Sequence, residues 1–194
     1  PASTSACYNI LLGSCAGKYN HSSSYNTLIG RMAGANTSGG GNTVAIGVDV
    51  DRGIGASCHN VYIGNNAARE NGESSNNVYI GSSAGYNTCQ GKCNVIIGRC
   101  AGYSVCCGHK NVFLGYEAGN TNTNGCCNIA IGFNVELPSA TANSQFAIGV
   151  DSNRWLTGDS SYNVTLAGIA TAYASGIVSA TAFYGDASGL SNIP

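Results

Sequence analysis

Charge is scarce in this sequence. Lys and Arg together number 8 and Asp and Glu 9 among 194 residues, for a formal net charge of −1. The few cations are scattered, so the basic stripe that a nucleic-acid partner would need is missing. Methionine and tryptophan each occur once and proline three times, while Gly, Asn, Ser and Thr abound. A mixture poor in helix formers and rich in turn residues predicts almost no helix. No uninterrupted apolar run approaches bilayer-spanning length, and the N-terminus lacks the charged and apolar regions of a signal peptide. Neither membrane insertion nor signal-dependent export is expected from these residues.

What is present is one phrase written many times. "NVYIGNNAA" occupies 60–68, "NVYIGSSAG" 77–85 and "NVFLGYEAG" 111–119. The glycine closing the hydrophobic triplet falls at Gly13, Gly30, Gly47, Gly64, Gly81, Gly98, Gly115, Gly132 and Gly149, always 17 residues apart. A unit this short cannot bury a hydrophobic face alone, so successive units must stack. The expected fold is all-β: a parallel β-solenoid of 17-residue coils, nine regular and a degenerate tenth, spanning residues 1–158, with a short β connector or cap over 159–194. Nine coils at the strand spacing of about 4.8 Å give a stack of roughly 43 Å.

Positions are numbered from the marker glycine. Position −1 reads Leu12, Ile29, Ile46, Ile63, Ile80, Ile97, Leu114, Ile131 and Ile148, and −3 is mostly Val or Ile. These two share one strand face and are assigned to the inside of the coil. Position −2, read as the outward one, is apolar as well: Leu11, Leu28, Tyr62, Tyr79, Ile96 and Phe113. A continuous apolar stripe on a rod marks an interface, and those six residues are the candidate contacts of a homotrimer of parallel solenoids. Position −4 carries Asn9, Asn26, Asn60, Asn77, Asn94, Asn111 and Asn128. Stacked amides can hydrogen-bond from coil to coil, and a full column suggests a ladder that fixes register. The glycine column suits positive φ or close backbone approach, and position +3 holds small residues fit for a tight corner.

Ten cysteines point to an oxidising environment or to metal. Cys89 and Cys106 lie one period apart in the same column, which places their Cα atoms about 4.8 Å apart, within disulfide range. They form the best candidate pair. Spacings such as "CQGKC" and the "CC" doublets suit zinc poorly, and no metal or cofactor is expected.

Two resemblances follow from particular residues. "NTVAIG" (42–47) and "NIAIG" (128–132) resemble the head repeats of trimeric autotransporter adhesins, which are β-rolls assembled as trimers. "FAIGVDSNRWLTGDSSYNVTLAG" (146–168) and "SATAFYGDASGLSNIP" (179–194) resemble segments of tail-fibre and other virion fibre proteins of marine phages, cyanophages especially. The resemblance implies a trimeric fibre on a virion, in contact with other fibre proteins and with a host-surface glycan or protein.

Enzymatic chemistry finds little support. β-Helical spikes that cleave polysaccharides use paired carboxylates, but Asp49 with Asp51, and Glu70 with Glu73, read as solvated loop acids. His21, His59 and His109 occupy different columns without a nucleophile at a readable spacing. Calcium at "DVD" lacks the glycine-rich nonapeptide context. The expectation is therefore a non-enzymatic shaft or head of a phage tail fibre, extracellular, with Tyr19, Tyr86, Tyr103 and Trp155 as diffuse contact candidates. The alternatives are a bacterial extracellular adhesin or filament subunit and, third, a polysaccharide-cleaving tailspike.

Overall fold

The computed structural model describes residues 6–36 and 39–167. Among them there is no helix, and eleven strands form one sheet in sequential order. β1 (Ile10–Leu12), β2 (Thr27–Ile29), β3 (Val44–Ile46), β4 (Val61–Ile63), β5 (Val78–Ile80), β6 (Val95–Ile97), β7 (Val112–Leu114), β8 (Ile129–Phe133) and β9 (Phe146–Val150) run parallel. Together they make a parallel β-solenoid of about eight turns. Equivalent residues pair in register, Val61 with Val78, Val78 with Val95 and Val95 with Val112. A second, thinner ladder of single bridges runs through Ser24, Gly41, Cys58, Ser75 and Lys92 at position −6.

Between the ladders the chain turns sharply, and it does so with non-glycine residues in the left-handed region. Position −5 has φ of 58° at His59, 58° at Asn76 and 59° at Cys93, and position +2 has 57° at Asn66, 57° at Ser83 and 55° at Cys100. Left-handed residues recur there because the same corner is built in every coil. The marker glycines are more restricted still. Gly64 has φ of 139°, and a Cβ on it would lie 2.4 Å from the carbonyl oxygen of Gly81 in the next coil. Both reasons exclude any side chain.

The interior is the reverse of the sequence expectation. Position −2 points inward: Leu28, Ala45, Tyr62, Tyr79, Ile96, Phe113, Ala130 and Ala147 are all buried within one chain. The residues assigned to a trimer interface are thus the core of the coil. Leu11 is the exception, 49% exposed on the first described coil with no coil beneath it. Positions −3 and −1 face outward and are half-buried to exposed, as at Ile97 and Ile129. The physical reason lies in how the coil closes. Position −2 meets position +3 across the lumen, where Ala33, Val50, Ala67, Ala84, Ala101, Ala118 and Val135 are buried. Volumes compensate between the two columns: Leu, Tyr, Ile or Phe at −2 accompanies Ala at +3, whereas Ala45 and Ala130 accompany Val50 and Val135. Large-with-small pairing of this kind keeps a narrow core filled. Position +4 must shrink as well, since a Cβ on Gly85 would fall 2.5 Å from the Tyr79 ring.

Period-two alternation carries the asparagines inside with position −2. Asn60, Asn77, Asn94, Asn111 and Asn128 are buried. The side-chain oxygen of each accepts a backbone N–H from the same position one coil on: Asn77 to Asn60, Asn94 to Asn77, Asn111 to Asn94, and Asn128 to Asn111, all at 2.9 Å. The amide nitrogens donate to backbone carbonyls 14 residues ahead, Asn94 to Gly108 at 2.9 Å and Asn111 to Gly125 at 2.9 Å. Direct amide-to-amide rungs occur from Asn77 to Asn60 at 3.3 Å and from Asn94 to Asn77 at 3.2 Å. The column ties backbone to backbone through side chains and satisfies groups that a three-residue strand leaves open.

Past β9 the solenoid ends. β10 (Asn153–Gly158) folds back antiparallel on β9 with an irregularity between Arg154 and Leu156, and β11 (Val164–Leu166) pairs antiparallel with β10. In place of the expected degenerate tenth coil the chain therefore forms a hairpin, with β11 as its outer strand. Asp151, with φ of 52°, starts the tight reversal from Val150 to Asn153. β10 covers the β9 edge that a further coil would otherwise extend. The rest of the expected connector, from 168 on, lies outside the described residues.

Candidate functional site

Four features on this frame carry chemistry. The first is the outward face of the strands. Val44, Val61, Val78, Val95, Val112 and Ile129 form one row, and Ile46, Ile63, Ile80, Ile97, Leu114 and Ile131 the other. No charged residue interrupts this double ribbon across β3 to β8. Five coil spacings between β3 and β8 make it roughly 24 Å long, and residues two apart on a strand make it roughly 7 Å wide.

The second feature is a set of stacked aromatic and guanidinium rows. Arg52, Arg69, Tyr86 and Tyr103 occupy position +5 of successive coils. The Tyr86 and Tyr103 rings stack at 4.9 Å with 14° between planes. Arg69 lies over the Tyr86 ring at 5.7 Å and donates to its hydroxyl oxygen. A parallel row at position +1 holds Arg99, Tyr116 and Phe133, with Tyr116 and Phe133 stacked at 4.9 Å and Arg99 donating to Tyr116 Oη at 2.9 Å. Of the expected contact candidates, Tyr86 and Tyr103 are thus brought together. Tyr19 stands apart beneath Lys18, 4.9 Å from its ring, and Trp155 lies exposed on β10. The arginines of both rows went unnoticed in the sequence, although their place in the tyrosine columns one coil earlier was the signal.

The third is the thiols. All ten cysteines are free, so the expected Cys89–Cys106 disulfide is not formed. The two do stack as neighbours: the Cys89 N–H donates to the Cys106 carbonyl at 3.0 Å. A hydrogen bond with the Cys106 thiol, followed by burial, pushes the Cys89 thiol up to about 11. Cys107, its Sγ 3.5 Å from Cys106 Sγ, is raised first by the same partner. Among the described residues no group of three or more His, Cys, Asp or Glu is placed to hold a metal ion.

The fourth is Asp51. It occupies position +4, where Gly17, Gly34, Ala68, Gly85, Gly102 and Gly119 are small and where Glu136, like Asp51, follows an Ala at −2 (Ala130 and Ala45). Asn71 Nδ2 donates to its Oδ1 at 2.9 Å and to Tyr62 Oη at 3.2 Å, and Tyr62 Oη pairs with Ser74 Oγ at 3.0 Å. Asp51 Oδ2 and Ser57 Oγ are both buried; they lie near enough for Ser57 to lower the carboxyl pKa, but no well-formed hydrogen bond joins them. Burial pushes the Asp51 carboxyl up to about 6, against smaller lowering from Asn71 and Ser57. Asp51, expected with Asp49 to be a solvated loop acid, is instead 1% exposed, whereas Asp49 lies outside the lumen between Arg31 at 2.6 Å and Arg52 at 3.2 Å. Closed lumen and ion-paired surface therefore separate the two acids, and they form no carboxylate pair on a common substrate. Glu70 is exposed and lies 3.5 Å from Arg69.

No protein-family model matches the chain, and no curated protein and no solved structure matches it either.

Proposed function

We propose that the chain is a non-enzymatic subunit of a homotrimeric extracellular fibre, serving as the shaft or head of a phage tail fibre that extends from the particle and touches a host surface. The observation carrying this reading is the uncharged Val and Ile ribbon along β3 to β8. A patch that long, left open on one chain, marks an interaction face. Its rows repeat at the coil spacing, and the partner whose side chains interdigitate with them at every level is another stack of the same period. Parallel copies related by rotation about a common axis satisfy that match along the whole length. The interface is thus moved from the six −2 residues, five of them buried, to the two columns flanking them. The number three and the virion setting come from the resemblance of 42–47, 128–132 and 146–168 to adhesin heads and fibre segments.

The test is light scattering coupled to size separation, under reducing conditions. The expected mass is three times the 19.6 kDa of the chain. Replacing Ile63, Ile80 and Ile97 together by Ser should yield a monomer with an unchanged β circular dichroism spectrum, because these side chains point away from the lumen. A wild-type monomer at tens of micromolar would overturn the assembly reading.

A further inference from the structure

Position +5 forms a groove wall that neither the core nor the apolar ribbon uses. A cavity of about 370 Å³ opens beside it, bordered by Asn36, Arg52, Arg69, Asn71 and one carboxylate, Glu70. Its floor is bare backbone at Gly53 and Gly72, where a Cβ would collide with the Asn71 and Cys89 carbonyl oxygens of the next coil. Donors crowd this groove and acceptors are few. Arg52 Nε is buried and donates to nothing among the described residues. Its Nη1 shares Asp49 with Arg31, so three guanidinium groups face two carboxylates, Asp49 and Glu70. Glu70 is exposed and, among the described residues, its carboxylate pairs only with Arg69, so a ligand anion can take its place. Upward from the groove the row continues with the Tyr86 and Tyr103 hydroxyls, at intervals of about 4.8 Å. One face of each ring is spent on the other, and Arg69 lies over Tyr86 and donates to its hydroxyl oxygen, which leaves the Tyr103 hydroxyl, the Tyr86 O–H as a donor, and ring edges for contact.

We propose that the row Arg52, Arg69, Tyr86 and Tyr103 binds an anionic polysaccharide lying along the rod axis, its acidic groups on the two guanidinium groups and its hydroxyls on the tyrosines. Guanidinium suits carboxylate and sulfate alike, through paired charge-assisted hydrogen bonds. An extended polymer fits better than a single sugar, because the donors form a line. The inference names the ligand class for the attachment role proposed above and rests on that reading for its biological setting. It does not use the ribbon.

The experiment is glycan binding by biolayer interferometry, on protein whose mass has been measured in the same buffer. Alginate presents carboxylates, dextran sulfate presents sulfates, and dextran and poly-glutamate serve as neutral and non-sugar controls. Binding to alginate or dextran sulfate is expected, with the stronger arm naming the acid. It should weaken as salt rises and fall at least about tenfold in the R52Q/R69Q variant. Tyr103→Phe, which removes one hydroxyl and keeps the stacked ring, should cost a smaller factor of about three. Equal binding to dextran or poly-glutamate, unchanged binding in R52Q/R69Q with intact circular dichroism, or no binding to either acidic polymer would overturn the proposal. A monomer that still binds would sink only the assembly reading, and a trimer that binds nothing only this one.

Discussion

Replacing Asp51 by Asn probes whether the lumen is as dry as its packing implies. Asp51 is 1% exposed, and burial pushes its carboxyl to about 6, against 3.8 for an ordinary aspartate. The gap of about 2 pH units corresponds to about 3 kcal/mol. The sign runs opposite to the usual carboxylate. Between pH 3.8 and 6 the folded chain binds more protons than the unfolded one, so stability falls as pH rises through that window. The penalty is complete by about pH 7 and absent near pH 3. An amide in the same place carries no charge. Its oxygen can accept from Asn71 Nδ2, as Asp51 Oδ1 does at 2.9 Å, and its nitrogen can donate to the buried Ser57 Oγ that already lies beside the carboxyl. Asp51→Asn should therefore match the wild type near pH 3.5 and exceed it by up to about 3 kcal/mol at pH 7. Urea unfolding followed by circular dichroism, at one protein concentration and with equal m-values, gives the difference at each pH. Exposed acids such as Asp159, lowered by its bonds to Asn163, contribute to both proteins and cancel. A difference that stays flat from pH 3.5 to 7.5, or a variant weaker than wild type at neutral pH, would refute the buried-charge argument.

Three further outcomes are expected. Gly98→Ala, at φ of 138° and with its new Cβ 2.1 Å from the Gly115 carbonyl oxygen, should cost more than about 2 kcal/mol in the same unfolding assay; a loss below about 0.5 kcal/mol would mean that coils separate more easily than their backbone contact implies. Asn94→Ala strands the Asn111 N–H and the Gly108 carbonyl, both bonded at 2.9 Å, and should cost roughly 2–5 kcal/mol, whereas a near-neutral result would reduce the column to turn chemistry. Under reducing conditions at pH 8, Cys89, pushed to about 11 first by its hydrogen bond with Cys106 and then by burial, should alkylate several-fold slower than in Cys106→Ala, where the largest cause is gone and burial remains, the gain in thiolate being partly offset by lower nucleophilicity. Equal labelling rates by peptide mass spectrometry would contradict the thiol contact.

The fold was legible because a strict period is a geometric statement: residues such as Val61, Val78 and Val95 that recur at one interval end up stacked, whatever else is misread. Which face is inside was harder. Tyr62 and Tyr79 have hydroxyls and Ile63 and Ile80 have none, so hydrophobicity alone placed the isoleucines in the lumen. The sequence nevertheless held a better criterion. Columns that touch must share volume, and only −2 and +3 trade size, with Tyr79 against Ala84 but Ala45 against Val50. The outward Val and Ile columns are uniform because nothing in their own chain constrains them from opposite. Parity gave the same answer, since Asn94 and Ile96 lie on one side of the strand, and a buried asparagine is stable where stacked backbone supplies its partners. The groove was less legible. Arg52 and Arg69 differ in kind from Tyr86 and Tyr103, so no likeness joins them along the chain. What joins them is the coil itself, which puts unlike residues at equal heights in a line, and any binding face on such a rod is written down a column and across four coils.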